Sequence, residues 1–255
     1  MTTSLMMRCL LPLATLLLLL LLSITPTGAE VVQSISNCDH FFLGQTPPEI
    51  PGILENGEIQ DQNRYKVICQ KYDNKKRFVT LYDTKNRIPV FSAYKYRGDD
   101  GRRPDVGWMI EPQVGFPTLS LIKILIPSFN QGSWSKMEDC VKCDLKKFCS
   151  AESYVVTGAV PGTEKLNNRV NIPSKLWSAF CCYSQKQKKW LASAHWGDNV
   201  KKQPGYLERK TLQQLKDEVK IQAFHQNICP FSETVAQFYK NLNEDNNCNC
   251  TKNYT

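Results

Sequence analysis

The sequence predicts an α+β domain, a mostly antiparallel sheet packed with helices, on three observations. Short β-forming runs recur with turn signals between them, only two stretches carry helical spacing, and no repeat or low-complexity linker divides the chain. With 255 residues, 42% hydrophobic and 22% charged, the composition suits one domain of good size.

The chain opens with MTTSLMMRCLLPLATLLLLLLLSITPTGAE, in which Arg8 precedes an apolar run from Cys9 to about Ile24, and Thr27 and Ala29 stand at cleavage spacing. This predicts a secretory signal peptide over residues 1–29, hence a secreted, extracellular protein. The run is shorter than the ~20 residues a spanning helix needs, so no stable membrane anchor is expected. A single domain is expected over 30–228, followed by a Cys-containing tail over 229–255.

After the Pro-rich entry TPPEIPGILE (46–55), RYKVICQKY (64–72), RFVTLYDT (77–84) and IPVFSAYKY (88–96) alternate or cluster β-formers, with the turn-like KNR before the last; they predict antiparallel strands. The loop YRGDDGRRPDVGW (96–108) leads to VGFPTLSLIKILIP (114–127), read as a strand feeding a helix that begins near Asn130. SYVVTGAVPG (153–162) predicts a buried strand ending in a turn. VNIPSKLWSAFCCY (170–183), with Pro173 at its entry, and KKWLASAHWG (188–197) predict two more. Leu212, Leu215 and Val219 are spaced for a short amphipathic helix within residues 208–224.

Ten of the eleven cysteines follow the leader, an even count that suits disulfides in an oxidising route, although spacing does not give the pairing. Cys140, Cys143 and Cys149 could also be drawn as a zinc knuckle. Asn249-Cys250-Thr251 and Asn253-Tyr254-Thr255 are glycosylation sequons. The net charge of +8 is spread over KKR (75–77), GRR (101–103), KK (146–147), KQKK (186–189) and KK (201–202), a surface that favours anions, whether nucleic acid or another polyanion.

Residues 128–138, SFNQGSWSKME, place Asn130, Trp134 and Glu138 at spacings of four, on one face of a helix. An amide oxygen at the amino-terminal end of a helix is a hard neutral ligand, and Mg²⁺ accepts such a sparse site because it keeps most of its waters. Glu138, roughly 12 Å further along the axis, would act through those waters. The same spacing also fits an N-cap, a core tryptophan and a solvated charge.

The stretch resembles the Asn-x-x-x-Trp-x-x-x-Glu helix of the DNA/RNA non-specific endonuclease family, the ββα-metal (His-Me finger) nucleases. The likeness extends to CDHFFLGQTPPEIPG, YDTKNRIPVFSAYKY, WMIEPQ, YVVTGAVPGTEKLNNRVNIPSKLW and the late helix. The resemblance implies that Asn130 is the direct protein ligand of a hydrated Mg²⁺, that Glu138 is the catalytic acid orienting the metal-bound waters, and that Trp134 packs between them. It implies hydrolysis of DNA and RNA phosphodiesters without sequence specificity, with a histidine taking a proton from the attacking water. Arg102 and Arg103, between the YKY strand and WMIEP, resemble the family's phosphate-binding side.

One half of that site is missing. The family's histidine stands in an Asp-Arg-Gly-His or Asp-Lys-Gly-His motif before the metal helix, and only VGFPTLSLIKILIP separates Gln113 from Ser128. His40 and His225 match no family position, and His195, in SAHWGDN, reads as a partly buried residue beside Trp196. Two functions follow: a secreted Mg²⁺-dependent endonuclease whose histidine-bearing segment is absent from this chain, or a catalytically dead secreted glycoprotein that binds nucleic acid or other polyanions.

Overall fold

The structure, a computed structural model, describes residues 29–72, 75–98, 124–150, 152–201 and 205–239. The central sheet has seven antiparallel strands in the order β1-β4-β5-β6-β7-β8-β9. They are β1 (Ala29–Val32), β4 (Tyr65–Tyr72), β5 (Lys75–Asp83), β6 (Ile88–Tyr96), β7 (Ser153–Leu166), β8 (Val170–Ser184) and β9 (Lys189–Asp198). A small hairpin of β2 (Leu54–Glu55) and β3 (Glu58–Ile59) stands apart. The helices are α1 (Ser135–Phe148), preceded by a π-helical segment (Phe129–Trp134), and α2 (Leu212–Val219).

Because successive side chains of a strand point to opposite faces, the sheet supports two cores. On one face Val67, Leu81, Phe91, Val156 and Trp177 pack with Phe41 and Leu215. On the other, Val155, Phe180 and Leu191 pack under Met137, Val141 and Leu145 of α1. The α+β, mostly antiparallel class expected from the sequence is the architecture found.

Two elements differ from expectation. β7 does not turn at Pro161-Gly162 but runs on to Leu166 through two register shifts. The Asn171 side chain takes the place of a backbone partner there, accepting from Gly162 N–H at 2.9 Å and donating to Gly162 O at 2.9 Å. The late helix lies, as expected, within residues 208–224, at Leu212–Val219. Thr211 caps its start with a reciprocal bond to Gln214, and Lys220 ends it in the left-handed region at φ 59°. The stretch expected to begin the tail is packed up to Tyr239: Val235, Ala236 and Tyr239 are buried.

Disulfides join Cys38 to Cys69, Cys149 to Cys182 and Cys181 to Cys229. Cys140 and Cys143 are disulfide-bonded as well, so the triplet that could be drawn as a zinc knuckle has no free thiolates. Cys181 and Cys182 are neighbours on β8 and face opposite cores, one bond holding the carboxyl-terminal segment and the other the end of α1. The leader and the sequons at Asn249 and Asn253 lie outside the described residues.

Candidate functional site

The helix bearing Asn130 is fixed at its entry by one buried amide. Asn199, just past β9, accepts from Ile126 N–H at 2.8 Å and donates to Ile124 O at 3.2 Å and Pro173 O at 2.9 Å. Phe129, fully buried, is seated against β9 at Gly197, where a Cβ would lie 2.8 Å from the phenylalanine ring. A side chain at 197 would push this helix off the sheet.

The local geometry is not that of a regular α-helix. Asn130 is not an N-cap: its own N–H already bonds Ile126 O at 2.9 Å, inside the first turn. Ser135 N–H reaches back five residues to Asn130 O, a π-type bond, and Gly132 takes a non-helical conformation at φ −100°, ψ −107°. Trp134 and Glu138 do share a face, with the indole Nε1–H donating to Glu138 Oε1 at 3.1 Å. Trp134 is therefore more than packing, since it orients the carboxylate while its ring, tilted at 5.8 Å, meets Phe129.

Glu138 borders a groove of about 280 Å³ between α1 and the sheet, whose walls include Tyr94, Tyr96, Trp134 and Lys142 and which Thr157 and Ser178 also line. Asn130, half-buried, stands at the helix start and is not among the groove's lining residues. Although Glu138 is exposed as a residue, the neighbours crowding its carboxyl raise its pKa. The Trp134 hydrogen bond opposes that rise and the nearby Asp139 charge adds to it. Tyr94 is pushed up to about 12, first by burial of its hydroxyl and then by the Glu138 charge.

Behind the groove lies a second polar cluster. Asp144 of α1 and Arg209 form a buried bidentate pair at 3.0 and 3.1 Å, each about 2% exposed. Burial raises the Asp144 pKa, against the pull of the guanidinium. His195, opposite Ser178 in the β8–β9 register, is 1% exposed; its Nδ1–H donates to Glu208 O at 3.1 Å. Nε2 has no hydrogen-bond partner among the described residues. Burial, helped by the Arg209 charge, pushes its pKa down to about 3. It is a neutral core side chain, more deeply buried than the sequence implied. None of the chain's three histidines lines the groove, His40 and His225 being exposed elsewhere.

The structure thus joins Trp134 and Glu138, sets Asn130 at the head of their helix, and adds Tyr94, Tyr96, Thr157 and Ser178. The alternation of IPVFSAYKY already placed Ser92, Tyr94 and Tyr96 on one face. Arg102 and Arg103 lie outside the described residues. The Asn130 amide and the Glu138 carboxylate are hard oxygen donors, the chemistry a hydrated Mg²⁺ accepts. Among the described residues there is no cluster of three His, Cys, Asp or Glu of the kind a structural zinc requires.

Residues 126–232 match the DNA/RNA non-specific endonuclease family, beginning at the amide-anchored entry of the helix. The human endonuclease domain-containing 1 protein is 22% identical over 209 residues, covering 60% of this chain and 40% of the relative. The mouse endonuclease domain-containing 1 protein is 25% identical over 201 residues, covering 57% and 38%. The chain therefore spans about 40% of the length of these relatives. The solved EndoG/EndoGI complex is similar over 61% of this chain and 87% of that one, at 14% identity and a TM-score of 0.46. Residues 126–232, which carry the helix of Asn130, Trp134 and Glu138 and strands packed against it, are thus similar to the DNA/RNA non-specific endonuclease family.

Proposed function

We propose that this chain is a secreted, glycosylated, nucleic-acid-binding member of the family that keeps the Mg²⁺ side of the hydrolytic site and cuts poorly. One observation carries the reading: the Trp134–Glu138 hydrogen bond orients a carboxylate on the helix headed by Asn130, while no histidine borders the groove beside it. Asn130 would hold the ion directly and Glu138 would hold its waters. A bound Mg²⁺ supplies charge stabilisation at the phosphate and the leaving oxygen. Proton removal from the attacking water is what the chain lacks, and a positioned general base is typically worth ~10²–10⁴-fold in rate. His195 does not replace it, because a side chain 1% exposed meets no attacking water. The net charge of +8 supports binding of DNA and RNA through their phosphates, independent of sequence and weakening as salt rises.

The test is plasmid nicking and RNA degradation with Mg²⁺ or EDTA, together with calorimetric Mg²⁺ binding, on the chain and on Asn130→Ala. Weak Mg²⁺ binding that Asn130→Ala removes, with cleavage no more than trace, is expected. Vigorous Mg²⁺-dependent cutting by the unaltered chain would overturn the reading.

A further inference from the structure

Three large hydrophobic side chains are exposed among the described residues: Phe78 at 38%, Tyr94 at 36% and Val200 at 46%. Single exposed apolar residues are ordinary. Phe78 and Tyr94, however, are direct cross-strand partners on β5 and β6, which sets their side chains beside each other on one face of the sheet. Tyr94 in turn pairs with Val155, a residue of the core beneath α1, so the aromatic pair continues outward from that covered face onto its open part.

Tyr94 belongs to both places. Its ring is partly open beside Phe78, and it also lines the groove with Tyr96, Trp134 and Glu138. Cations flank the run at both ends: exposed Arg77 precedes Phe78, and exposed Lys142 lines the groove one turn beyond Glu138. Aromatic rings on an open sheet face, with positive charge on either side, match one polymer well. In a single-stranded nucleic acid the bases offer flat faces to stack while the phosphates reach the cations, whereas a duplex hides those faces.

We infer that Phe78 and Tyr94 form a stacking platform for unpaired nucleobases, which guides a single strand across β5 and β6 towards Glu138. The inference rests on the nucleic-acid reading above and names its substrate as single-stranded. Stacking is sequence-tolerant, in keeping with a family that reads no sequence.

The test uses fluorescence anisotropy of the full chain in EDTA with three labelled probes: an oligothymidylate of about twenty nucleotides, an abasic strand of equal phosphate number, and a duplex of equal length. Phe78→Leu and Tyr94→Leu keep apolar area and remove the π face; both positions are exposed, and unchanged melting of the variants checks the fold. The double variant is expected to bind the oligothymidylate at least about 30-fold more weakly, from ~1–3 kcal/mol for each of two stacked bases, with binding of the other two probes almost unaltered. Undiminished binding of the oligothymidylate, or equal loss on the abasic strand, overturns the platform alone. If the unaltered chain binds none of the probes, the nucleic-acid reading and the platform fall together.

Discussion

His195→Asn is the most direct probe of the cluster behind the groove. The asparagine Nδ2 can keep the donation to Glu208 O that the imidazole Nδ1 makes at 3.1 Å, and it does not titrate. In the unfolded chain the histidine titrates near ~6.5. In the folded chain burial first, and then the Arg209 charge, hold it at about 3. For a base whose folded pKa is depressed, the unfolded chain binds more protons between the two values. Stability therefore rises with pH across that window and is lost as pH falls from about 6.5. The group is buried, so screening does not discount the effect. Between pH 7.5 and pH 5 the loss amounts to about 2 kcal/mol, and it reaches about 4 kcal/mol near pH 3. The assay is urea denaturation of both proteins, disulfides intact, at several pH values from 7.5 to 5. The variant should be less stable than the wild type at pH 7.5 by a fixed packing difference, and that gap should shrink by about 2 kcal/mol at pH 5. Carboxylates common to both proteins cancel. A gap that stays constant with pH would refute the reasoning, because it would mean that the folded imidazole titrates as it does in the unfolded chain.

Asn199→Ala removes three hydrogen bonds at the entry of the helix of Asn130 and orphans buried backbone groups; it should cost about 2–4 kcal/mol in urea denaturation and, on the proposed function, weaken Mg²⁺ binding. Trp134→Phe deletes the donor to Glu138, so the carboxyl should titrate still higher than in the wild type, as followed by carbon NMR of labelled glutamate. Protein recovered from culture medium should lose apparent mass on enzymatic deglycosylation, and Asn249→Gln with Asn253→Gln should abolish that shift.

The strands were legible because alternation of β-formers reports a half-buried sheet directly, and β4, β5 and β6 follow the runs that showed it. The continuation of β7 past Pro161 was not, since its bonding depends on the side chain of Asn171 across a register shift. The Trp134–Glu138 pair lay in plain view at i, i+4. The π turn over Phe129–Trp134 did not, because i→i+5 bonding through a non-helical Gly132 leaves no periodic signature in the sequence. Thr157 and Ser178 became groove residues only when β7 and β8 came to lie beneath α1, and Asp144 met Arg209 across a separation of 65 residues. Such contacts have no periodic signature.

The adjacent cysteines of β8 make one strand the common anchor of two loops, closed over separations of 33 and 48 residues. By loop entropy each closure is worth roughly 4 kcal/mol, although two loops meeting at a single point are not independent. Denatured with its bonds intact, the stretch from Cys149 to Cys229 becomes a figure of eight whose crossing point is β8, next to the edge strand β9. Neither the end of the helix of Asn130 and Glu138 nor the carboxyl-terminal segment can then drift far from β8, and reduction of these two bonds would release both layers from that same point.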